Sequence, residues 1–354
     1  MTFALSVPAN LLLLGEYAVT EEGGLGIALA SAPRLRLHVA PRRERGLVIA
    51  GRMGPTSFEW IEGKSEPPPL VAACLDEARA RLADQPSPRI APSRIDIDSS
   101  AFFSSDGNKR GFGSSAAVAV GLSAALLRLG GLEGQALEAA LFPTALAAHR
   151  SSQGGRGSGY DVAASRYGGA GLFIGGTKPE WTSLPVDSLA ALRGLGLALR
   201  FGPRPVSSAL AVGAYQRWKS LDPIAHRAFL GSSAALVRDF MAARTPESLI
   251  TILDKAAAAG IAFGETIGVP ARPLPSSTPP ASHGAEIVPR PAPSPVEKCL
   301  GALSPVEKCL GAGDELILVA ALESAHRADA EPENPREQGQ TLPLRVESEG
   351  LRWE

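Results

Sequence analysis

Hydrophobic and polar positions change period several times along this chain. Leu35, Leu37 and Val39 alternate with Arg34, Arg36 and His38, and Ile95 and Ile97 alternate with Arg94, Asp96 and Asp98. A period of two predicts strands with one buried face. Residues 11–19 and 25–30 are short, mostly apolar runs on either side of a Glu-Glu-Gly-Gly turn at 21–24, and they read as buried strands. Residues 116–129 are apolar over a longer span, free of proline and closed by Gly130 and Gly131. That pattern predicts a mostly buried helix with a glycine stop. Further helices are expected near residues 70–83, 133–149, 205–219, 224–243 and 246–259. The segment PVDSLAALRGLGLALRF follows a polar, proline-containing stretch and opens a new strand, which sets an expected boundary near residue 195. The fold class expected is α+β, in two domains, 1–194 and 195–354.

Composition narrows the class of partner. At 354 residues the chain is long enough for two cores. It carries 35 basic and 36 acidic side chains, so no overall field draws it to nucleic acid or to a membrane surface. Small molecules are the partners expected, with the chain a monomer or homodimer. Cys74, Cys299 and Cys309 form no CxxC pair, which argues against a disulfide framework or a structural zinc site. The N-terminal segment lacks a basic region and a small-residue cleavage site, and no stretch offers 18 apolar residues in a row. A reducing cytoplasm is the expected compartment. Residues 270–295 are rich in proline and serine and read as a surface excursion, part of an insertion at about 270–303. Beside it SPVEKCLGA occurs twice, at 294–302 and 304–312, as a local duplication with one copy expected to be looped out.

Three segments carry candidate chemistry. The first, SSQGGRGSGYDVAASRYGG at 151–169, sets Asp161 behind a glycine-rich turn and ahead of a small-residue helical run. Such a turn can hold a carboxylate beside an anion that contacts the main-chain N–H groups of Ser158 and Gly159. The plainer reading is an Asp helix cap after a flexible loop. The second is KRGFGSSAAVAVGLSAALLRLGG at 109–131. Gly111 and Gly113 permit a tight turn, after which Ser114 and Ser115 open a long helix whose free N–H groups and dipole favour an anion. Either hydroxyl can reach a magnesium ion, although the segment is not a Walker A sequence. The third is VPANLLLLGEYAV at 7–19, where Glu16 and Tyr17 interrupt an apolar strand. A buried carboxylate there needs a cleft, a cation or backbone donors, unless it sits on an edge strand facing water.

In this order the three segments resemble the GHMP kinases, named for galactokinase, homoserine kinase, mevalonate kinase and phosphomevalonate kinase. Within that family the motifs look most like those of phosphomevalonate kinases, in GEYAV at 15–19, in KRGFGSSAAV at 109–118 and in the turn at 153–169. The resemblance implies a ribosomal-protein-like α+β N-terminal domain and a ferredoxin-like C-terminal domain, with ATP and Mg²⁺ as cofactors. It implies Asp161 as catalytic residue, with Lys109 beside the reacting phosphates. Gly111, Gly113, Ser114, Ser115 and Ala116 would hold the ATP phosphates, and Ser115 the metal. Glu16, Tyr17, Ser158, Gly159 and Arg110 would line the acceptor site, joined by Ser207 and Ser208 in PRPVSSALAV at 203–212. The implied reaction is phosphorylation of phosphomevalonate to diphosphomevalonate on the mevalonate route to isoprenoids.

The chain departs from the family pattern in three places. Asn10 stands where a lysine or arginine is usual, and His149 or Gln153 stands near the place of a magnesium-binding glutamate. The last motif is shortened, with Gly311, Gly313 and Asp314 where GAGGGD is expected. These departures keep open an inactive homologue that serves as a nucleotide-binding module. A GHMP kinase with another acceptor, such as mevalonate, is also open.

Overall fold

The computed structural model describes residues 2–83, 85, 89–104, 107–155, 157–201, 208–269, 271, 305–310, 316–322 and 341–354. The chain divides into two compact units. One comprises Met1–Leu12, Val19–Ser183 and Val346–Glu354, and the other Leu13–Ala18 and Leu184–Arg345.

The first unit opens with β1 (Phe3–Leu14) and β2 (Leu25–Pro41). The hairpin β3 (Val48–Met53) and β4 (Thr56–Ile61), helix α1 (Pro69–Leu82) and β5 (Ser93–Asp98) follow. Helices α2 (Ser114–Leu129), α3 (Gly134–Ser152) and α4 (Tyr160–Tyr167) come next, then the hairpin β6 (Ala170–Ile174) and β7 (Glu180–Ser183). The apolar run at 25–30 and the alternating stretch at 34–39 are one strand. Leu25–Leu29 of β2 pairs antiparallel with β6, and Arg36–Pro41 pairs antiparallel with β5. In its second half Leu35, Leu37 and Val39 are buried while Arg36 and His38 are exposed, as the period of two requires. The strand expected at 11–19 lies earlier: it begins at Phe3 and ends at Leu14. Ser6 and Asn10 break its apolar pattern, yet both are buried and hydrogen-bonded. At the far end the left-handed backbone of Gly15 and Tyr17 stops the strand, and a 3₁₀ turn, Ala18–Thr20, replaces it. Helix α2 packs against α1, α3, α4 and β2, so its small, apolar side chains form the centre of this unit.

The second unit holds α5 (Val186–Arg193), β8 (Leu195–Phe201), α6 (Ser208–Leu221), α7 (Pro223–Ala242) and α8 (Pro246–Ile267). Strands β9 (Val306–Cys309), β10 (Leu316–Leu322) and β11 (Thr341–Pro343) complete it. The strands form an antiparallel sheet in the order β11-β8-β10-β9, with Leu195 opposite Leu322 and Phe201 opposite Leu316. The segment expected to open a strand near 195 begins instead as helix α5, two turns long, and becomes strand only after Gly194. The Asp222 carboxylate accepts from Ala225 N–H at 2.9 Å to cap α7, and Thr245 with Ser248 forms a capping box on α8. Strand β9 comes from the second copy of the repeated nonapeptide. The first copy, nearly all of the proline-rich stretch, and Gly311, Gly313 and Asp314 lie outside the described residues. The chain finally returns to the first unit, where β12 (Arg352–Trp353) pairs antiparallel with β1.

Candidate active site

The loop that starts α2 is held from below by Asn10. The side-chain amide of Asn10 donates to Gly113 O at 3.2 Å and to Ser165 Oγ at 3.0 Å, and its backbone N–H donates to Phe112 O. Gly113 sits at φ 70°, and a Cβ placed on it would meet the Asn10 amide at 2.3 Å. Only glycine satisfies both demands. The turn therefore delivers Ser114, buried, and Ser115, half-buried, to the first positions of α2. Their N–H groups make no main-chain hydrogen bond among the described residues. Ala116 differs, for it is fully buried and its N–H already donates to Gly113 O at 3.1 Å. Of the other loop residues, Lys109 is exposed and Arg110 half-buried. Burial alone pulls the Arg110 guanidinium below its ordinary pKa, and among the described residues no carboxylate pairs with it.

The glycine turn approaches the same helix opening through one imidazole. His149, near the end of α3 and 2% exposed, places Nε2 3.2 Å from Ser115 Oγ and 3.7 Å from Asp161 Oδ2. The Gln153 amide nitrogen is 3.1 Å from the same atom. Asp161 is the second residue of α4, its side chain 21% exposed, and its Oδ1 accepts from Val162 N–H at 2.9 Å. Gly159 precedes the helix at φ 93°, and a Cβ there would run into Leu146 at 2.4 Å. Ser158 and Gly159 are both buried. Behind the turn, Arg150 donates to the carbonyls of Gly157 (3.0 Å), Ser158 (2.9 Å), Gly176 (2.8 Å) and Thr177 (3.3 Å). Burial lowers the pKa of this guanidinium, and Asp161 and Glu22 partly offset that effect.

Glu16 and Tyr17 belong to the second unit. The Glu16 carboxylate accepts from Lys308 Nζ, which also donates to Cys309 O at 3.0 Å, so the half-buried acid finds a cation. Tyr17 keeps a left-handed backbone at φ 63° and sets its ring 5.4 Å from Tyr215 and 5.5 Å from Phe263. Burial, with Glu16 adjacent, pushes its phenol up to about 12. A cavity of about 100 Å³ borders these groups, lined by Leu14, Glu16, Tyr17, Phe229, Phe263 and Lys308 among others. Ser208 is the first residue of α6, and Ser207 lies outside the described residues.

Residues 71–169, which take in α2, α3, α4 and nearly all of α1, match the family model of the GHMP kinases N terminal domain. The chain thus carries a stretch that is similar to the N-terminal domain of the GHMP kinases. It is accordingly an ATP-dependent phosphotransferase. The phosphomevalonate kinase of a Streptomyces species is 27% identical over 282 residues, covering 68% of this chain and 72% of that one. The phosphomevalonate kinase of Saccharolobus solfataricus is 29% identical over 163 residues, 46% of either chain, so the match spans less than half of that relative. Among solved structures, Streptococcus pneumoniae phosphomevalonate kinase with phosphomevalonate and AMPPNP superposes with a TM-score of 0.64 at 19% identity, over 91% of this chain and 92% of that one. Methanococcus jannaschii mevalonate kinase gives 0.63 at 14% identity, over 91% and 90%. These structures share the α+β GHMP kinase fold with this chain. Three features escaped sequence reasoning. The Asn10 brace and the Lys308 pair with Glu16 join residues far apart in the chain, and the Arg150 contacts all end on backbone carbonyls that no residue type advertises.

Proposed function

We propose that this GHMP kinase transfers the terminal phosphoryl group of ATP to phosphomevalonate, forming diphosphomevalonate. The observation that carries the reading is the meeting of Ser115, His149 and Asp161 around one imidazole nitrogen, at 3.2 and 3.7 Å. It brings the anion-binding end of α2 and the carboxylate of α4 to a common point. In the proposed complex the ATP phosphates face the free N–H groups of Ser114 and Ser115, where the dipole of a long helix adds to the attraction.

Phosphoryl transfer passes through a loose transition state, so positioning and charge neutralisation carry most of the catalysis. The acceptor phosphate has a second pKa near 6 and arrives largely deprotonated. Asp161 then orients the acceptor and balances charge, and its part as a base is small; with an alcohol such as mevalonate that part would be larger. Lys109 and Arg110 offset the repulsion between two anions, and the half-buried, acid-free guanidinium of Arg110 suits an anionic acceptor. Ser158 and Gly159 supply main-chain donors on the acceptor side.

Magnesium fits this donor set in one way. Among the described residues no three His, Cys, Asp or Glu side chains are arranged to hold a metal, and the nitrogen of His149 beside Ser115 is a poor ligand for so hard an ion. Ser115 Oγ would hold the ion as a single protein oxygen, alongside phosphate oxygens and water, and the ion would supply charge neutralisation. One further observation bears on setting: among the described residues no helix is long and apolar enough to cross a membrane.

The test offers Mg-ATP with phosphomevalonate, mevalonate, homoserine or galactose to the purified chain and follows ADP. Rapid release with phosphomevalonate alone is expected, and Asp161→Asn, which removes the charge that orients the acceptor, should lower it by about 10²-fold while leaving ATP binding intact. Turnover on mevalonate or a sugar would replace the acceptor, and ATP binding without turnover on any acceptor would refute the kinase reading.

A further inference from the structure

The two amides expected to meet the acceptor, those of Ser158 and Gly159, belong to peptide units whose opposite ends are held. In a planar trans peptide the C=O of one residue and the N–H of the next point in opposite directions. Arg150 grips the Gly157 oxygen through Nε at 3.0 Å and the Ser158 oxygen through Nη2 at 2.9 Å. The N–H groups of Ser158 and Gly159 must then both point away from the guanidinium, side by side. Neither donates to a main-chain oxygen among the described residues. The same side chain reaches Gly176 O at 2.8 Å and Thr177 O at 3.3 Å, in the loop between β6 and β7. That loop is itself tied down, because Thr177 N–H donates to Glu22 Oε2 at 3.0 Å.

We propose that Arg150 is the positioning residue of the acceptor side: it fixes the direction of the Ser158 and Gly159 N–H pair, and with it the start of α4 that carries Asp161. The inference rests on the kinase reading for its consequence, though not for its geometry. Arginine is required by shape. Four carbonyls on two loops are met by a rigid planar fork with five N–H groups, whereas a lysine ammonium offers three donors from a single point. Among the described residues no carboxylate lies within ion-pair distance of Arg150, so its fork is left to the carbonyls.

The experiment compares the full chain with Arg150→Lys and Arg150→Ala by kinetics and by amide NMR. Arg150→Lys should raise the acceptor KM about tenfold or more, since small misplacements at a reacting centre are expensive, and leave the ATP KM unchanged. Added ethylguanidine should restore part of the lost activity to Arg150→Ala. In both variants the Ser158 and Gly159 amide resonances should move while those of Ser114 and Ser115 stay in place. Unchanged kinetics, or an equal loss toward ATP and acceptor that ethylguanidine does not relieve, would overturn the proposal. If the wild-type chain turns over no acceptor at all, the kinase reading fails by itself. The resonances then decide the clamp alone: displaced Ser158 and Gly159 signals support it and undisturbed ones sink it.

Discussion

Asn10 occupies a place where the family resemblance leads one to expect a cation, and its surroundings explain what it does instead. It is 2% exposed and both of its amide hydrogens are used, one on Gly113 O and one on Ser165 Oγ, which itself donates to Pro8 O. The residue is a brace under the α2 loop. In the proposed reading, the charge that a lysine would bring there comes from Lys109 and Arg110 in the loop. Gly113 is the other half of this brace. Replacing it with alanine, Gly113→Ala, imposes a left-handed conformation worth about 1–2 kcal/mol and drives a methyl group into the Asn10 amide. We expect a lower thermal midpoint together with weaker ATP binding, measured by calorimetry on the same sample. A variant that loses stability and binds ATP as before would separate the brace from the nucleotide site.

At the level of elements, strand β9 is short but holds a charge that must not be left alone. The Lys308 side chain is 4% exposed and pairs with Glu16. Glu16→Gln should cost on the order of 3 kcal/mol, read as a shift of the urea midpoint, because it strands a buried ammonium. Adding Lys308→Met in the same chain should recover much of that loss. The elements differ in how plainly the sequence announced them. Helix α2 is legible because its largely apolar run is free of proline and ends in Gly130, and β5 because Ile95 and Ile97 alternate with charges. The hairpin β3–β4 is not, since Arg52, Thr56, Ser57 and Glu59 face outward and leave too few apolar positions to show a period. Helix α5 is hidden by its brevity. Among the proposed site residues, Asp161, Ser114 and Ser115 could be picked out from their glycine turns, and His149 from its place ahead of one of them. Arg150 could not, because its partners are carbonyls, and Lys308 could not, because its acid lies at the other end of the chain.

Across the whole molecule, the first unit is closed by the last segment of chain. Arg34 donates to Ser6 O and Ser6 Oγ on one side and to Gly350 O, Glu349 O and Glu347 Oε2 on the other. Trp353 packs edge-on to Phe3 at 5.6 Å, and the Arg128 guanidinium sits 4.6 Å from the centroids of both rings. Glu347 joins the backbone of Ala30 and Gly169. Ending the chain after Arg345 should therefore destabilise the first unit far more than the second. Hydrogen exchange should show β1 and α2 losing protection, while β8 and β10 keep theirs. The pairing of Leu5 with Trp353 also has a meaning in time. A ribosome adding about 5–20 residues per second leaves β1 without its outer neighbour for tens of seconds. Throughout that interval an apolar strand edge is on offer to any nascent neighbour, and the cell must shelter it or produce this enzyme slowly.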